Sequence, residues 1–109
     1  MDYVENELND YIINEQDFSF FMLLNQIEHC ENYEDKFYIK LLKTSVISSN
    51  LEIVEFLNEK IVEKKMFTMD LLKSIVYLFD ECSINKEILK ILTNLMKKVI
   101  EKFQQYYSI

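Results

Sequence analysis

Residues 41–60 read LLKTSVISSNLEIVEFLNEK, and this stretch decides the fold. Apolar residues recur every three or four positions on both sides of the polar tripeptide at 48–50. That spacing places them on one face of a helix, whereas a strand would alternate apolar and polar residues. Because Asn50 is a favourable N-cap, the stretch predicts a helix that ends near Ile47, a short turn, and a second helix from Leu51.

A similar pattern occurs again further along the chain. The segments NLEIVEFL at 50–57 and NKEILKIL at 85–92 match each other 35 residues apart, and LLKTSVI at 41–47 matches LLKSIVY at 71–77 with an offset of 30. Offsets of this size are typical of helical repeat proteins. The two offsets differ by five residues, so the sequence leaves two arrangements open: stacked helical hairpins or a compact helical bundle.

Residues 41–60 also resemble the two-helix core of an ankyrin repeat, and residues 71–98 resemble it less closely. The resemblance implies a protein-binding solenoid. The TPLH-type turn and the glycines of ankyrin repeats do not occur in this chain.

The same periodicity along the whole chain predicts an all-α protein with six helices and no sheet, forming a single domain over 1–109. Asp17 and Thr68 are the expected N-caps of the second and fifth helices, and Ser83 or Asn85 that of the sixth. The predicted helices are 2–14, 17–30, Tyr33–Ile47, 51–65, 69–81, and a long one ending near Tyr107.

The composition indicates the kind of source. The chain has no Gly, Pro, Ala, Arg or Trp, while Ile, Asn, Lys, Tyr and Phe supply 49 of its 109 residues. The missing residues have mostly GC-rich codons, so we expect an AT-rich genome such as that of a low-GC bacterium, a phage, a large DNA virus or a protist. Without glycine, the phosphate-binding loops of nucleotide enzymes are also excluded.

The chain shows no sign of export or membrane insertion. Residues 1–14 are acidic and lack the basic and apolar regions of a signal peptide, and no apolar run reaches 18 residues. Cys30 and Cys82 lie far apart and form no CxxC motif. We therefore expect a cytoplasmic protein, of the cell or of an infected host cell, with reduced thiols and no membrane contact.

No catalytic or metal-binding pattern is visible. The single histidine, His29, adjoins Cys30, and neighbouring helical residues cannot face each other as a nucleophile and its base. A metal site would also need ligands spaced three or four residues apart on one face. We expect no enzyme activity, no metal and no cofactor.

Charge is distributed very unevenly. Residues 1–35 contain ten acidic residues and no lysine, whereas residues 36–109 contain nine acidic residues and twelve lysines. An acidic surface of this kind accelerates association with a basic partner, although it can also be a solvated helix face. Direct nucleic-acid binding is disfavoured because there is no arginine for base recognition.

These observations predict a small protein-binding domain: an inhibitor, an immunity or antidefence protein, or an adaptor. Its partner would be another protein with a basic surface. The alternative is a self-assembling subunit, such as a homodimer, that uses the last helix, where Leu89, Met96 and Ile100 lie beside an apolar seam. The predicted partner-binding residues are acidic or aromatic: Glu5, Glu7, Asp10, Glu15, Asp17, Phe20, Tyr38 and Tyr106.

Overall fold

The computed structural model describes residues 3–107, and the side chains of residues 3–105. This part of the chain contains six helices and no strand, which confirms the all-α prediction. The helices are α1 (Tyr3–Ile13), α2 (Asp17–Cys30), α3 (Asp35–Ile47), α4 (Leu51–Glu63), α5 (Met69–Glu81) and α6 (Lys86–Tyr107).

The helices form three hairpins, α1–α2, α3–α4 and α5–α6, that lie side by side. One row of contacts joins α1 to α3 and α3 to α5, and a second row joins α4 to α6. The link from α2 to α4 runs through aromatic rings and an ion pair. Of the two arrangements that the sequence left open, these contacts correspond to stacked hairpins.

A single apolar core runs between the two rows of helices. Its members are the residues that recur every three or four positions, such as Leu41 and Leu42 in α3 and Leu92 and Val99 in α6, each fully buried. The apolar seam predicted for α6 is therefore core, while Leu89 and Ile100 beside it are exposed.

The two conflicting repeat offsets have a structural explanation. The second helices of the hairpins begin at Asp17, Leu51 and Lys86, which are 34 and 35 residues apart. Ile47 and Tyr77 are the last residues of the two matching segments. Ile47 ends α3, and a three-residue turn leads to α4. Tyr77 does not end α5, which continues to Glu81 and is followed by a four-residue loop. Four extra helical residues and one extra loop residue account for the five-residue difference.

Four predicted caps can be compared with the structure. Asn50, Thr68 and Asn85 each accept a hydrogen bond from a backbone N–H in the first turn of the following helix, as N-caps do. The prediction that Asp17 caps α2 is wrong. Asp17 is the first helical residue, and Gln16 before it makes no side-chain capping bond.

Two helix boundaries differ from the prediction by two residues. The start of α3 is Asp35 and not Tyr33, because Glu34 has an extended backbone. The end of α4 is Glu63 and not residue 65, because Lys65 has a φ of 53° and turns the chain away from the helix.

Three helices end without glycine in a conformation that usually employs it. Glu15, Ser49 and Lys65 have φ values of 57°, 55° and 53°. In each case the backbone N–H of the positive-φ residue donates to the carbonyl three positions earlier. The backbone N–H of the following residue donates to the carbonyl five positions before itself. This is the Schellman motif, whose left-handed position costs a residue with a Cβ about 1 kcal/mol.

The burial of the matching leucines in α4 and α6 leads to a first prediction. Leu57 and Leu92 are both fully buried, so Leu57→Ala and Leu92→Ala should each lower the free energy of unfolding by roughly 2–5 kcal/mol. Leu89→Ala is the matched control. Leu89 is 42% exposed, so this change should lower the free energy of unfolding much less. Urea titration measures all three, and a loss below about 1 kcal/mol for either buried leucine would contradict the packing described.

A second prediction concerns the glycine-free turns. Ser49→Gly should raise the free energy of unfolding by roughly 0.5–1 kcal/mol. Glycine has no Cβ and removes the steric strain at positive φ, and this gain exceeds the extra backbone entropy that glycine loses on folding. Ser48 provides the control, since its φ of −84° is ordinary and Ser48→Gly should only destabilise. Equal effects of the two changes in thermal unfolding would show that the left-handed conformation carries no strain.

Candidate partner-binding surface

Three phenylalanines near the start of α2 are separated by the helical geometry. Phe18, Phe20 and Phe21 lie within four residues, which is too close for one face of a helix. Phe20 is fully buried, Phe21 is half-buried, and Phe18 is 77% exposed. One side chain therefore joins the core, one lies at the boundary, and one projects into solvent.

The helices α2 and α4 contact each other at three successive levels. Asp17 and Glu52 form a carboxyl pair at the first level. One turn further, the rings of Phe21 and Phe56 lie 4.9 Å apart between centroids, in an edge arrangement. At the third level, Lys60 Nζ lies 3.0 Å from Glu28 Oε1. Since Asp17 to Glu52 and Phe21 to Phe56 share the offset of 35 residues, equivalent turns of the two helices lie beside each other.

An open cleft of about 530 Å³ lies above these contacts. Phe21 and Phe56 contribute aromatic surface, Phe18 and Met22 stand on the α2 side, and both are exposed. The remaining lining residues are polar: Asn25, Glu28 and Lys60. A mainly apolar cleft with a few polar groups is the usual form of a binding site.

The polar groups of the cleft neutralise each other. Glu28 accepts a hydrogen bond from the hydroxyl of Tyr38 as well as from Lys60. Burial raises the pKa of Tyr38, and the hydrogen bond to Glu28 raises it further, so the hydroxyl stays protonated. Lys60 also lies 5.4 Å from the centre of the Phe56 ring, within cation–π range. The three side chains hold α2, α3 and α4 together beneath the cleft.

Acidic residues of α4 lie beside the cleft. Glu52 and Glu63 lie four residues before and seven residues after Phe56 and share its side of the helix, whereas Glu59 lines a groove between α4 and α6. All three are exposed. The pKa of Glu52 is raised, chiefly by its hydrogen bond to Asp17 and the negative charge of that carboxyl group. The cleft therefore has an aromatic floor and an acidic border.

The acidic residues predicted to bind a partner have different environments. Glu7, Asp10 and Glu15 are exposed, as expected. Glu5 is largely covered and lies 3.7 Å from Lys40 of α3, while the Asp17 carboxylate accepts a hydrogen bond of 2.8 Å from Asn50. Of the five, Asp17 is the one that contacts a residue of α4 beside the cleft.

Two of the three aromatic residues predicted to bind a partner belong to the core. Phe20 and Tyr38 are fully buried and cannot reach a partner, because each lies on the inner face of its helix. The side chain of Tyr106 lies outside the described residues. Phe18, Phe21 and Phe56, which line the cleft, were not among the predicted site residues. The sequence did contain a signal for Phe18 and Phe21, because three phenylalanines within four positions cannot all point into the core.

The histidine and the two cysteines lie outside the cleft. His29 is exposed, and its Nδ1 lies 2.7 Å from the carbonyl oxygen of Asn25. Cys30 and Cys82 are free thiols, exposed and half-buried. Within residues 3–107 no three His, Cys, Asp or Glu side chains cluster as metal ligands would. No helix in this range is both long and apolar enough to cross a membrane.

Comparison with known proteins gave no family model that matches the chain, no matching curated protein and no matching solved structure. The resemblance to ankyrin repeats therefore stays a prediction from residues 41–60. Any functional assignment has to come from the cleft and the surfaces themselves.

The carboxyl pair gives a third prediction, which concerns pH. A raised pKa means that folding favours protonated Glu52, so its stabilising contribution is present at acid pH and is lost as pH rises through the raised pKa. Glu52→Gln should therefore stabilise the protein at neutral pH. The gain should vanish below about pH 4, where the wild-type group is protonated even in the unfolded chain.

Urea titrations between pH 3 and 8 measure this difference. Glu59→Gln is the control, because Glu59 is an exposed glutamate of the same helix. A Glu52→Gln gain that does not change with pH would show that the two carboxyl groups do not interact.

Proposed function

We propose that this chain is an interaction module that binds another protein in the cleft between α2 and α4. The observation that carries the proposal is the exposure of Phe18, 77%, at the edge of an aromatic cleft of about 530 Å³. Exposed aromatic side chains beside a preformed cleft are typical of protein interfaces. The module would act by binding and not by catalysis.

The chemistry of the cleft indicates the kind of segment that it would accept. The floor suits an aromatic or aliphatic anchor, because Phe21 and Phe56 offer ring edges and faces. The border suits lysine or arginine beside that anchor, because Asp17 and Glu52 add negative charge one turn before Phe21 and Phe56. The partner is thus a protein with an apolar side chain set in a basic surface.

This mode of binding suits an inhibitor, an immunity or antidefence protein, or an adaptor in the cytoplasm. Each of these acts by covering a surface of its partner. A basic partner would be guided to the cleft by the acidic border, which acts mainly on the association rate and its salt dependence.

A fourth prediction tests the cleft with a random peptide library displayed on phage. Peptides selected on the full chain should carry an aromatic or aliphatic residue flanked by lysine or arginine. Synthetic versions should bind the Phe18→Ser variant at least ten-fold more weakly, as expected when an interface anchor is lost. Fluorescence anisotropy gives the affinities.

Ile47→Ser is the matched control, because Ile47 is 58% exposed at the end of α3, outside the cleft. It should bind the selected peptides as the wild type does. Selection of acidic peptides, or equal binding by both variants, would refute the proposed site.

A further inference from the structure

A groove between α3 and α5 is lined mainly by lysine side chains. It has a volume of about 280 Å³ and takes three lysines from α3 and one from α5: Lys36, Lys40, Lys43 and Lys73. Asp70 is the acidic residue among the lining side chains, and the half-buried Ser74 contributes a hydroxyl group. Four of the twelve lysines thus converge on one groove of a chain whose net charge is −7.

The register of the two helices brings these lysines together. The three lysines of α3 are spaced by four and three residues, so they form one row along the helix. Lys43 Nζ lies 5.0 Å from the centre of the ring of Tyr77, which is 34 residues further along the chain. Asp70 follows Lys36 by the same 34 residues, so α3 and α5 run in the same direction. Lys73 therefore lies across the groove, between the levels of the first and last lysines of the row.

The positive charge of the groove is only partly balanced by acidic residues. Lys40 Nζ lies 3.7 Å from Glu5 Oε1, but the lysine side chain is 63% exposed, and such a pair is weak in water. Among the described side chains, neither Lys36 nor Lys73 forms an ion pair. Lysines four residues apart on one helix face repel each other. An anion in the groove would remove this repulsion.

Acidic residues around the groove limit the size of the anion. Glu5 lies on the α1 side, next to Lys40, and Asp80 lies two turns after Lys73 on α5. The lysine row of α3 spans seven residues, which corresponds to about 10 Å along the helix. A polyanion much longer than this would meet these carboxylates, whereas a compact anion would contact mainly the lysines.

We propose that the groove between α3 and α5 binds a compact phosphoryl anion, such as the phosphate chain of a di- or triphosphate. Lysine ammonium groups are common ligands of phosphate oxygens, and the hydroxyl of Ser74 can donate a further hydrogen bond. The first turns of both helices lie at the same end of the groove, where the positive ends of their dipoles also favour an anion. This site is separate from the cleft between α2 and α4 and goes beyond the function proposed above.

Isothermal titration calorimetry of the full chain with inorganic tripolyphosphate tests the site. Binding should be detected at about 0.05 M salt and should weaken at about 0.5 M salt, because the lysine charges are then screened. In nuclear magnetic resonance spectra, the amide signals of Lys36 and Ser74 should be among those that shift when tripolyphosphate is added. Absence of binding at millimolar tripolyphosphate in the lower salt would overturn the proposal.

Matched lysine variants show whether the groove itself binds the anion. Lys36→Gln with Lys73→Gln removes one ammonium group from each wall and should weaken the binding of tripolyphosphate at least ten-fold. Both lysines are exposed, so the variant should stay folded. Lys86→Gln with Lys90→Gln is the control, because it changes the net charge equally at exposed positions of α6 outside the groove. Equal weakening in the two variants would show that net charge alone matters and would overturn the site.

Three further probes define the class of ligand: ATP, a polyglutamate peptide and a single-stranded oligonucleotide. ATP that binds as tightly as tripolyphosphate would show that the phosphate chain alone is recognised, and tighter binding of ATP would assign a nucleotide. Either result supports a phosphoryl site. Tighter binding of the peptide or the oligonucleotide than of tripolyphosphate would overturn the assignment of a compact anion.

The peptides selected on the cleft are also measured on the Lys36→Gln, Lys73→Gln variant. They should bind it as they bind the wild type, because neither lysine lines the cleft. This measurement separates failure of the groove from failure of the proposed function.

Discussion

The buried side chain of Asn50 holds together the turns of the first two hairpins. Its Oδ1 caps α4 at the N–H of Ile53, while its Nδ2 donates to the carbonyl of Ile12 and to the carboxylate of Asp17. One amide thereby fixes the end of α1, the start of α2 and the start of α4. Loss of either function would leave buried polar groups without partners, which is costly in a low-dielectric interior.

The cleft depends on this junction. Asn50 places the start of α2 beside the start of α4, so Asp17 adjoins Glu52 and, one turn on, Phe21 meets Phe56. At the far end, Glu28 receives both Lys60 and the hydroxyl of Tyr38. The cleft is therefore bounded by two parallel helices that are tied at both ends, which limits how far its walls can separate.

Local features of the sequence predicted local structure well. The three-to-four-residue spacing of apolar residues predicted all six helices. The capping role of Asn50 was predicted from its position before an apolar run. The donation from Asn50 to Ile12 and Asp17 spans 38 and 33 residues and has no local signal. The same limit explains why Phe20 and Tyr38 were chosen as contacts, since their burial depends on which helices pack against them.

The cleft was partly foreseeable. The density of phenylalanines in α2 indicates that one of them leaves the core, but only the packing decides that it is Phe18. Phe56 could not have been identified, because it looks like an ordinary member of the apolar row of α4. Its exposure to the cleft results from the register in which α4 meets α2.

The turns of the three hairpins are not equivalent, and this affects how salt acts on the molecule. The first two hairpins are joined by side-chain bonds at Asn50, at Glu28 and between Glu5 and Lys40. The third is joined to the second by its core contacts, by Lys102 donating to the carbonyl of Phe67, and by Lys43 above the ring of Tyr77. Its cap, Asn85, bonds only within its own helix among the contacts described. The junction between the first two hairpins therefore relies on polar side-chain contacts, which salt can weaken, whereas the third hairpin is held to the second mainly by packing of α5 on α3 and of α6 on α4, which salt does not weaken.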